Sequence, residues 1–424
     1  MTQIQNFLLL HLPLTIFALI LFSVPNVSAE QYHALVAPLT KDTHTSLFSL
    51  TLKPNENYVI DLESPFLWYN CPKYYPAVAS GTAECLATQA HFSPLCSSQI
   101  DPAPNSLTCP VTPVNPVTQT CSLAELTYKA LVISWTNGLN PTININFTHS
   151  YVSCAPDFLL ESLPIGSSGM AGLSRELLAL PTQFSPFFLY FKRQFSICLP
   201  SIHRVPGVIF FGEGPFYLSP SWASTKFDVT SILSYTPLLN HSTNLGYYIG
   251  LTGISIHSKM QQFQSPKIEF DSLSQHGAKI STIVPYTTLI SPIYRAFLRQ
   301  FKSATRGIPR ARKVKPFDLC FDTSKLGSIR TRLRFPQIDF EVADGKNWTI
   351  FGSNSMKEVS RNVACLAFVD GGENADEAVV IGSFQMENNF LLFDLVESRL
   401  GFSSSLLNVG TTCSNFNFTS VGQV

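Results

Sequence analysis

Few residues in this chain are arranged to do chemistry. The stretch Tyr58-Val-Ile-Asp61-Leu62-Glu63-Ser64-Pro-Phe-Leu-Trp68 is an apolar strand that delivers one carboxylate, then a tight segment, then an apolar return ending in Trp. A carboxylate so placed can act as a general acid or base. Hydrolysis by paired carboxylates needs a second one beside it, so that proximity splits their pKa values and one stays protonated. Other catalytic sets do not form: the 9 His are scattered, and no Gly-x-Ser-x-Gly elbow raises a nucleophile. Gly212-Glu-Gly-Pro is too short and misplaced for a phosphate loop. With no CxxC pair and no His-rich partner, no metal and no cofactor are expected.

Short β runs must position Asp61. His33-Ala-Leu-Val, Leu47-Phe-Ser-Leu-Thr-Leu and Tyr58-Val-Ile are separated by turn residues such as Lys53-Pro-Asn55, the punctuation of β-hairpins. Pro72 to Cys121 is rich in Pro, Ser, Thr and Ala and reads as a disulfide-stapled surface excursion without a core of its own. Strands are predicted at Leu126–Trp135, Thr142–Phe147, Phe195–Cys198 and Gly207–Gly212. A short helix is predicted over Ser174–Leu180, with a Ser cap and Glu176 in its first turn. Phe216–Ser234 reads as a crossing between two lobes. The second half follows with Tyr247–Ile256, Ala278–Leu289, a helix carrying Ile293, Phe297, Leu298 and Phe301 at helical spacing, and late strands at Ala364–Val369, Ala378–Gly382 and Asn389–Asp394. Gly172 and Gly382 each end a small apolar run at a comparable place, as in a diverged duplication. The fold class is therefore all-β, mainly β with a few short helices.

Lys plus Arg and Asp plus Glu are balanced at 28 each, so no global field draws nucleic acid or acidic substrates. The apolar run Phe7–Phe22 followed by Val27-Ser-Ala29 predicts a secretory signal peptide over 1–29, and no later segment is apolar enough to span a bilayer. All 10 cysteines follow it: Cys71, Cys85, Cys96, Cys109, Cys121, Cys154, Cys198, Cys320, Cys365 and Cys413. An even count after a signal peptide predicts disulfides in a secreted, extracellular protein. Sequons at Asn146, Asn240, Asn347 and Asn417 fit the same route as glycosylation sites.

Several segments in order resemble the pepsin-like proteins of plants over nearly the whole mature chain. Tyr58–Trp68 resembles the loop of the first catalytic Asp, with Leu62 and Glu63 where the family has a hydroxyl residue and glycine. Ser168-Gly-Met-Ala-Gly-Leu…Leu180-Pro-Thr-Gln183, Tyr247-Tyr-Ile-Gly-Leu-Thr-Gly-Ile-Ser and Ile381-Gly-Ser-Phe-Gln…Asp394…Leu400-Gly-Phe resemble further family stretches. The resemblance implies a bilobal pepsin-like double β-barrel with a central cleft, its lobes at 30–225 and 226–424. Asn115-Pro-Val-Thr-Gln-Thr-Cys121, Ser153-Cys-Ala-Pro-Asp-Phe-Leu-Leu and Asn354-Ser-Met-Lys-Glu-Val359 are similar to one branch: cereal xylanase-inhibitor-like proteins, dicot xyloglucanase inhibitors and legume basic globulins.

That resemblance implies Cys71–Cys154, Cys198–Cys413 and Cys320–Cys365 pairs; the pairing of Cys85, Cys96, Cys109 and Cys121 stays open. It also locates the second catalytic loop. Counting back from Tyr294-Arg-Ala-Phe297, the loop is Ser281-Thr-Ile-Val-Pro285, with Ser281 at the Asp position and Ile283 at the glycine. A hydroxyl cannot carry the carboxylate's charge, and Asp271 is ten residues away. The family's flap motif is also missing between Cys121 and Trp135, where Leu123-Ala-Glu-Leu-Thr-Tyr128 stands. Asp61 is then a remnant, and the branch implies an inhibitor of microbial cell-wall-degrading glycoside hydrolases rather than a peptidase. Cereal xylanase inhibitors carry a His just before the final cysteine; Leu406-Leu-Asn-Val-Gly-Thr-Thr-Cys413 has none. Alternatives are an apoplastic or seed globulin-like binding protein for a peptide or pectic polymer, and a residual aspartic-type endopeptidase using Asp61. A pectic, anionic cell-wall polysaccharide would meet Arg299, Lys302, Arg306, Arg310, Arg312, Lys313 and Lys315. The acidic loop Asp370-Gly-Gly-Glu-Asn-Ala-Asp-Glu377 is a further exposed candidate.

Overall fold

One four-strand weave occurs twice. Strand Glu56–Asp61 pairs in parallel with Ser167–Gly172, Ile60 opposite Ala171; Ser167–Gly172 pairs antiparallel with Leu67–Asn70, which lies parallel to Pro141–Ala155. In the second half Ala278–Ile280 pairs in parallel with Val379–Ile381, Ile280 opposite Ile381. Val379–Ile381 pairs antiparallel with Thr287–Leu289, itself parallel to Phe368–Asp370. Parallel pairing suits strands covered on both faces, and Tyr58, Val59 and Ile60 are fully buried.

The computed structural model describes residues 34–53, 55–89, 107–185, 192–219, 226–241, 244–257, 259–261, 278–324, 326 and 334–419. The expected signal peptide, Cys96 and Asp271 lie outside them. Six antiparallel strands form a floor beneath both weaves, in the order Ala34–Lys41, Gly207–Gly212, Gln194–Cys198, Phe390–Asp394, Arg399–Phe402, Ser234–Leu239. At its centre Phe195 lies opposite Phe393, their rings stacked with centroids 4.6 Å apart. His33–Val424 forms one unit, and its largest hydrophobic cluster takes residues from both halves. The lobe boundary read from the sequence falls beside 220–225, outside the described residues.

The helix Ser291–Ala304 buries Ile293, Tyr294, Phe297 and Phe301, as its periodicity requires. Two local expectations change. Ser174–Leu180 is a bent segment, and the helix is Leu180–Phe184. Its start is set by Pro181 in the first turn, while Leu173 and Ser174 are held by hydrogen bonds to Asp61 and Ser64 carbonyls. Ser174 Oγ instead accepts the Glu176 N–H within a local turn. Pro72–Cys121 also contributes to a core: Val78, Cys85, Cys109 and Val111 are buried with Trp68 and Leu126. A disulfide at Cys85–Cys109 and the helix Ala83–Gln89 supply the packing that apolar periodicity did not announce. Cys71–Cys154, Cys198–Cys413 and Cys320–Cys365 are also bonded, and Cys121 is in a disulfide.

Candidate functional site

Asp61 ends its strand only 8% exposed. Its Oδ1 accepts the Glu63 N–H at 3.0 Å, and its carbonyl accepts the Leu173 N–H at 2.9 Å. Burial, reinforced by the Glu63 charge, pushes its carboxyl up to about 7; the Glu63 N–H and Lys279 pull the other way. Leu62, at the hydroxyl position, is buried in the main core.

Ser281 occupies the corresponding place on the second loop. Its Oγ accepts the N–H groups of Ile283 at 3.2 Å and Val284 at 3.1 Å. Its own N–H donates to the Ile381 carbonyl at 3.0 Å. The Ser281 hydroxyl thus caps its own loop and carries no charge. Next to it, the buried Thr282 Oγ1 donates across the loops to the Ile60 carbonyl at 2.8 Å, so the chain neighbours of Ser281 and Asp61 are bonded to each other. No return bond can come from Leu62, which lacks a hydroxyl. Instead an ion pair crosses: Lys279 Nζ lies 2.6 Å from Glu63 and 3.4 Å from Glu377, with the lysine side chain only 14% exposed. Tyr248 Oη donates to Glu377 at 3.1 Å. The two carboxylates hold the Lys279 ammonium above the ordinary lysine range against the burial that lowers it.

Close backbone approach explains the glycines. A Cβ on Gly172 would lie 2.5 Å from the Phe66 and Ser64 carbonyl oxygens, and one on Gly382 would lie 2.5 Å from the Tyr286 carbonyl carbon.

The stretch searched for a flap, Leu123–Tyr128, runs into the long strand Ala124–Thr136. A short hairpin tied to the first loop comes earlier, Val114–Asn115 against Thr120–Cys121. Trp68 Nε1 donates to the Val114 carbonyl at 3.0 Å. Asn115 is fully buried, its amide donating to Leu159 and Glu161 carbonyls and its Oδ1 accepting the Val117 N–H. Sequence reasoning gave Asn115 no role; an Asn-Pro pair opening a hairpin beside a cysteine was the available signal.

The basic segment is exposed at Arg299, Lys302, Arg306, Arg310, Arg312, Lys313 and Lys315. Arg310 folds back onto Phe321 and the Lys302 carbonyl, and Lys313 pairs with Asp318 at 2.9 Å. The acidic loop is engaged locally: Asp370 accepts from Ser291, Glu373 pairs with Arg295, and Glu377 joins the Lys279 cluster. Asn146, Asn240, Asn347 and Asn417 are all exposed. Among the described residues no cluster of His, Cys, Asp and Glu could hold a metal ion, and no helix is long and apolar enough to cross a membrane.

Comparison with known proteins places this geometry. The xylanase inhibitor N-terminal family model matches residues 50–213, and the xylanase inhibitor C-terminal model matches 246–404. The chain belongs to the xylanase inhibitor family. Its relatives include "Probable aspartic proteinase GIP2" of Nicotiana benthamiana, 36% identical over 91% of this chain and 92% of that protein. "Chitinase CLP" of Oryza sativa subsp. japonica is 37% identical over 91% of each. "Gamma conglutin 1" of Prunus dulcis is 35% identical over 98% and 97%. Among solved structures, the crystal structure of edgp superposes with a TM-score of 0.83 at 36% identity, covering 92% of this chain and 99% of that one. Conglutin gamma from lupine seeds gives 0.76 at 30%, covering 92% and 100%. The mainly-β, pepsin-like architecture expected from the sequence is the one present. Family members bear the names of a proteinase, a chitinase and seed globulins, so the shared scaffold does not by itself carry one activity.

Proposed function

We propose that this chain is a secreted, catalytically inactive aspartic-protease homologue that inhibits microbial cell-wall-degrading glycoside hydrolases of the xyloglucanase or xylanase class. Its place of action is the plant apoplast or cell wall. The observation that carries the reading is Ser281, an uncharged residue whose hydroxyl oxygen is occupied by two backbone N–H groups, on a loop that Thr282 bonds to the residue before Asp61. A water flanked by one acid and one alcohol lacks the charge-sharing pair that drives peptide hydrolysis. Family membership on both halves of the chain supports an inhibitory use of the scaffold. Disulfides agree with an oxidising compartment, and Asn146, Asn240, Asn347 and Asn417 are proposed as glycosylation sites.

Glycoside hydrolases hold two carboxylates in an open cleft, which a rigid loop can fill. In the turn Leu406–Val409, before Cys413, the exposed residues are Asn408 and Val409, with no imidazole to meet those carboxylates. This favours xyloglucanase-type targets over xylanases. The test is incubation of the purified protein with panels of microbial xyloglucanases and xylanases: dose-dependent inhibition of at least one class is expected, and none across both removes the proposal. Casein digestion at acidic pH tests the rival peptidase reading; pepstatin-sensitive cleavage lost in Asp61→Ala would restore it.

A second reading rests on the exposed cations Arg299, Lys302, Arg306, Arg312 and Lys315. They suit an anionic cell-wall polysaccharide, with retention on pectate that declines as salt screens the charges. Retention indifferent to salt, or none, counts against it.

A further inference from the structure

Away from both loops, an open pocket of about 610 Å³ lies over the Cys71–Cys154 disulfide. That volume is in the range of small-molecule sites, which are mostly apolar with a few placed polar groups. Its wall combines Tyr75, Leu123 and Phe158 with Asn70, Lys73 and Asp157. Phe158 is 52% and Leu123 48% exposed, so both present apolar surface at the pocket. The disulfide ties strand Leu67–Asn70 to strand Pro141–Ala155, which already pair in parallel, so the pocket has a rigid floor. Tyr75 is fixed as well, its Oη donating to Glu125 at 2.9 Å.

The polar groups are preset. Asn70 Nδ2 donates to Asp157 Oδ1, which orients a planar amide–carboxylate pair. The other Asp157 oxygen and the Asn70 side-chain oxygen have no partner among the described residues and can accept hydroxyl protons. Lys73 lies over the Tyr74 ring and has no carboxylate partner among the described residues. Aromatic side chains for C–H surface, paired acceptors for adjacent hydroxyls, and an open mouth for a continuing chain are the complement of a sugar ring.

We propose that this pocket binds a pyranose ring of an oligosaccharide, stacked on Phe158 and Tyr75 and hydrogen-bonded through Asn70 and Asp157. Lys73 decides between neutral and acidic sugars. The site stands apart from the Asp61–Ser281 loops and does not depend on hydrolase inhibition.

The experiment is calorimetric titration of the full-length purified protein with xyloglucan, cello- and galacturonan oligosaccharides. Binding to one of them is expected with a dissociation constant on the order of 1 mM for a single engaged ring. Phe158→Ala and Asp157→Ala should each weaken it about tenfold, while Phe158→Tyr retains it and circular dichroism stays unchanged. If the galacturonan is preferred, Lys73→Ala should abolish that preference; if the neutral chains are preferred, Lys73→Ala should leave binding intact. Absence of binding to all three sugars overturns the assignment, as does binding indifferent to Phe158→Ala and Asp157→Ala. Loss of hydrolase inhibition in Phe158→Ala without sugar binding also overturns it, making the pocket a docking site for protein.

Discussion

The two loops at the heart of the molecule have the same weave and different chemistry. Asp61 ends its strand and Ser281 directly follows one; each strand pairs in parallel with a partner that ends in, or is followed by, glycine, and each side chain accepts the N–H two residues on. In the first loop the acceptor is a carboxylate, the next residue is apolar, and Glu63 follows. In the second the acceptor is a hydroxyl, followed by Thr282 and Ile283. The capping bond therefore forms with either acceptor, whereas only the carboxylate can carry charge. The cross-loop tie is one hydroxyl-to-carbonyl bond, from Thr282 to Ile60, and the Lys279–Glu63 pair spans the same junction. Holding the loops together needs no second carboxylate.

Four substitutions break the comparison in different places. Lys279→Met should do most damage, leaving Glu63, Glu377 and Asp61 clustered without their cation; about 3 kcal/mol of stability should be lost in urea unfolding. A loss near zero would make the pair a solvated accessory. Thr282→Val removes the buried donor to Ile60 and should cost about 2 kcal/mol by the same measurement.

Asp61→Asn tests the charge itself. The folded carboxyl titrates near 7 against an ordinary value of 3.8, so between those values the folded protein holds a proton that the unfolded chain has released. Stability from this group is complete below the ordinary value and declines as pH rises to about 7. The asparagine variant should flatten that decline and gain about 1 to 2 kcal/mol at pH 8 in paired melts at pH 4 and pH 8. An unchanged pH slope refutes the account. Ser281→Ala should show the smallest effect, about 1 kcal/mol, because its two amide partners sit in a half-buried turn.

The strands around Asp61, the helix carrying Phe301 and the late strands were legible because short apolar runs between turn residues, or helical spacing, set each of them locally. Gly172 and Gly382 were legible as markers of duplication, although only the backbone approach explains them. Ser281 is reached only by counting back from Tyr294, since nothing in Ser-Thr-Ile-Val-Pro announces an active-site loop. The Lys279–Glu63 pair was invisible because the partners lie in different halves and each is an ordinary charged residue in isolation. The region from Pro72 to Cys121 misled for a related reason: its buried residues are sparse, and their neighbours, Trp68 and Leu126, come from outside it. The Ser174 cap failed where tethering to the Asp61 loop overrode a local helix signal.

The floor sheet joins three strands from each side of the chain's midpoint through the Gln194–Cys198 and Phe390–Asp394 pair, and Cys198 from one side is bonded to Cys413 from the other. A protease that severed the connecting peptide between Gly212 and Ser234 would therefore release nothing. The two fragments would travel as one particle on a sizing column and separate only after reduction and denaturation, so fragment size on a reducing gel is no guide to the functional species.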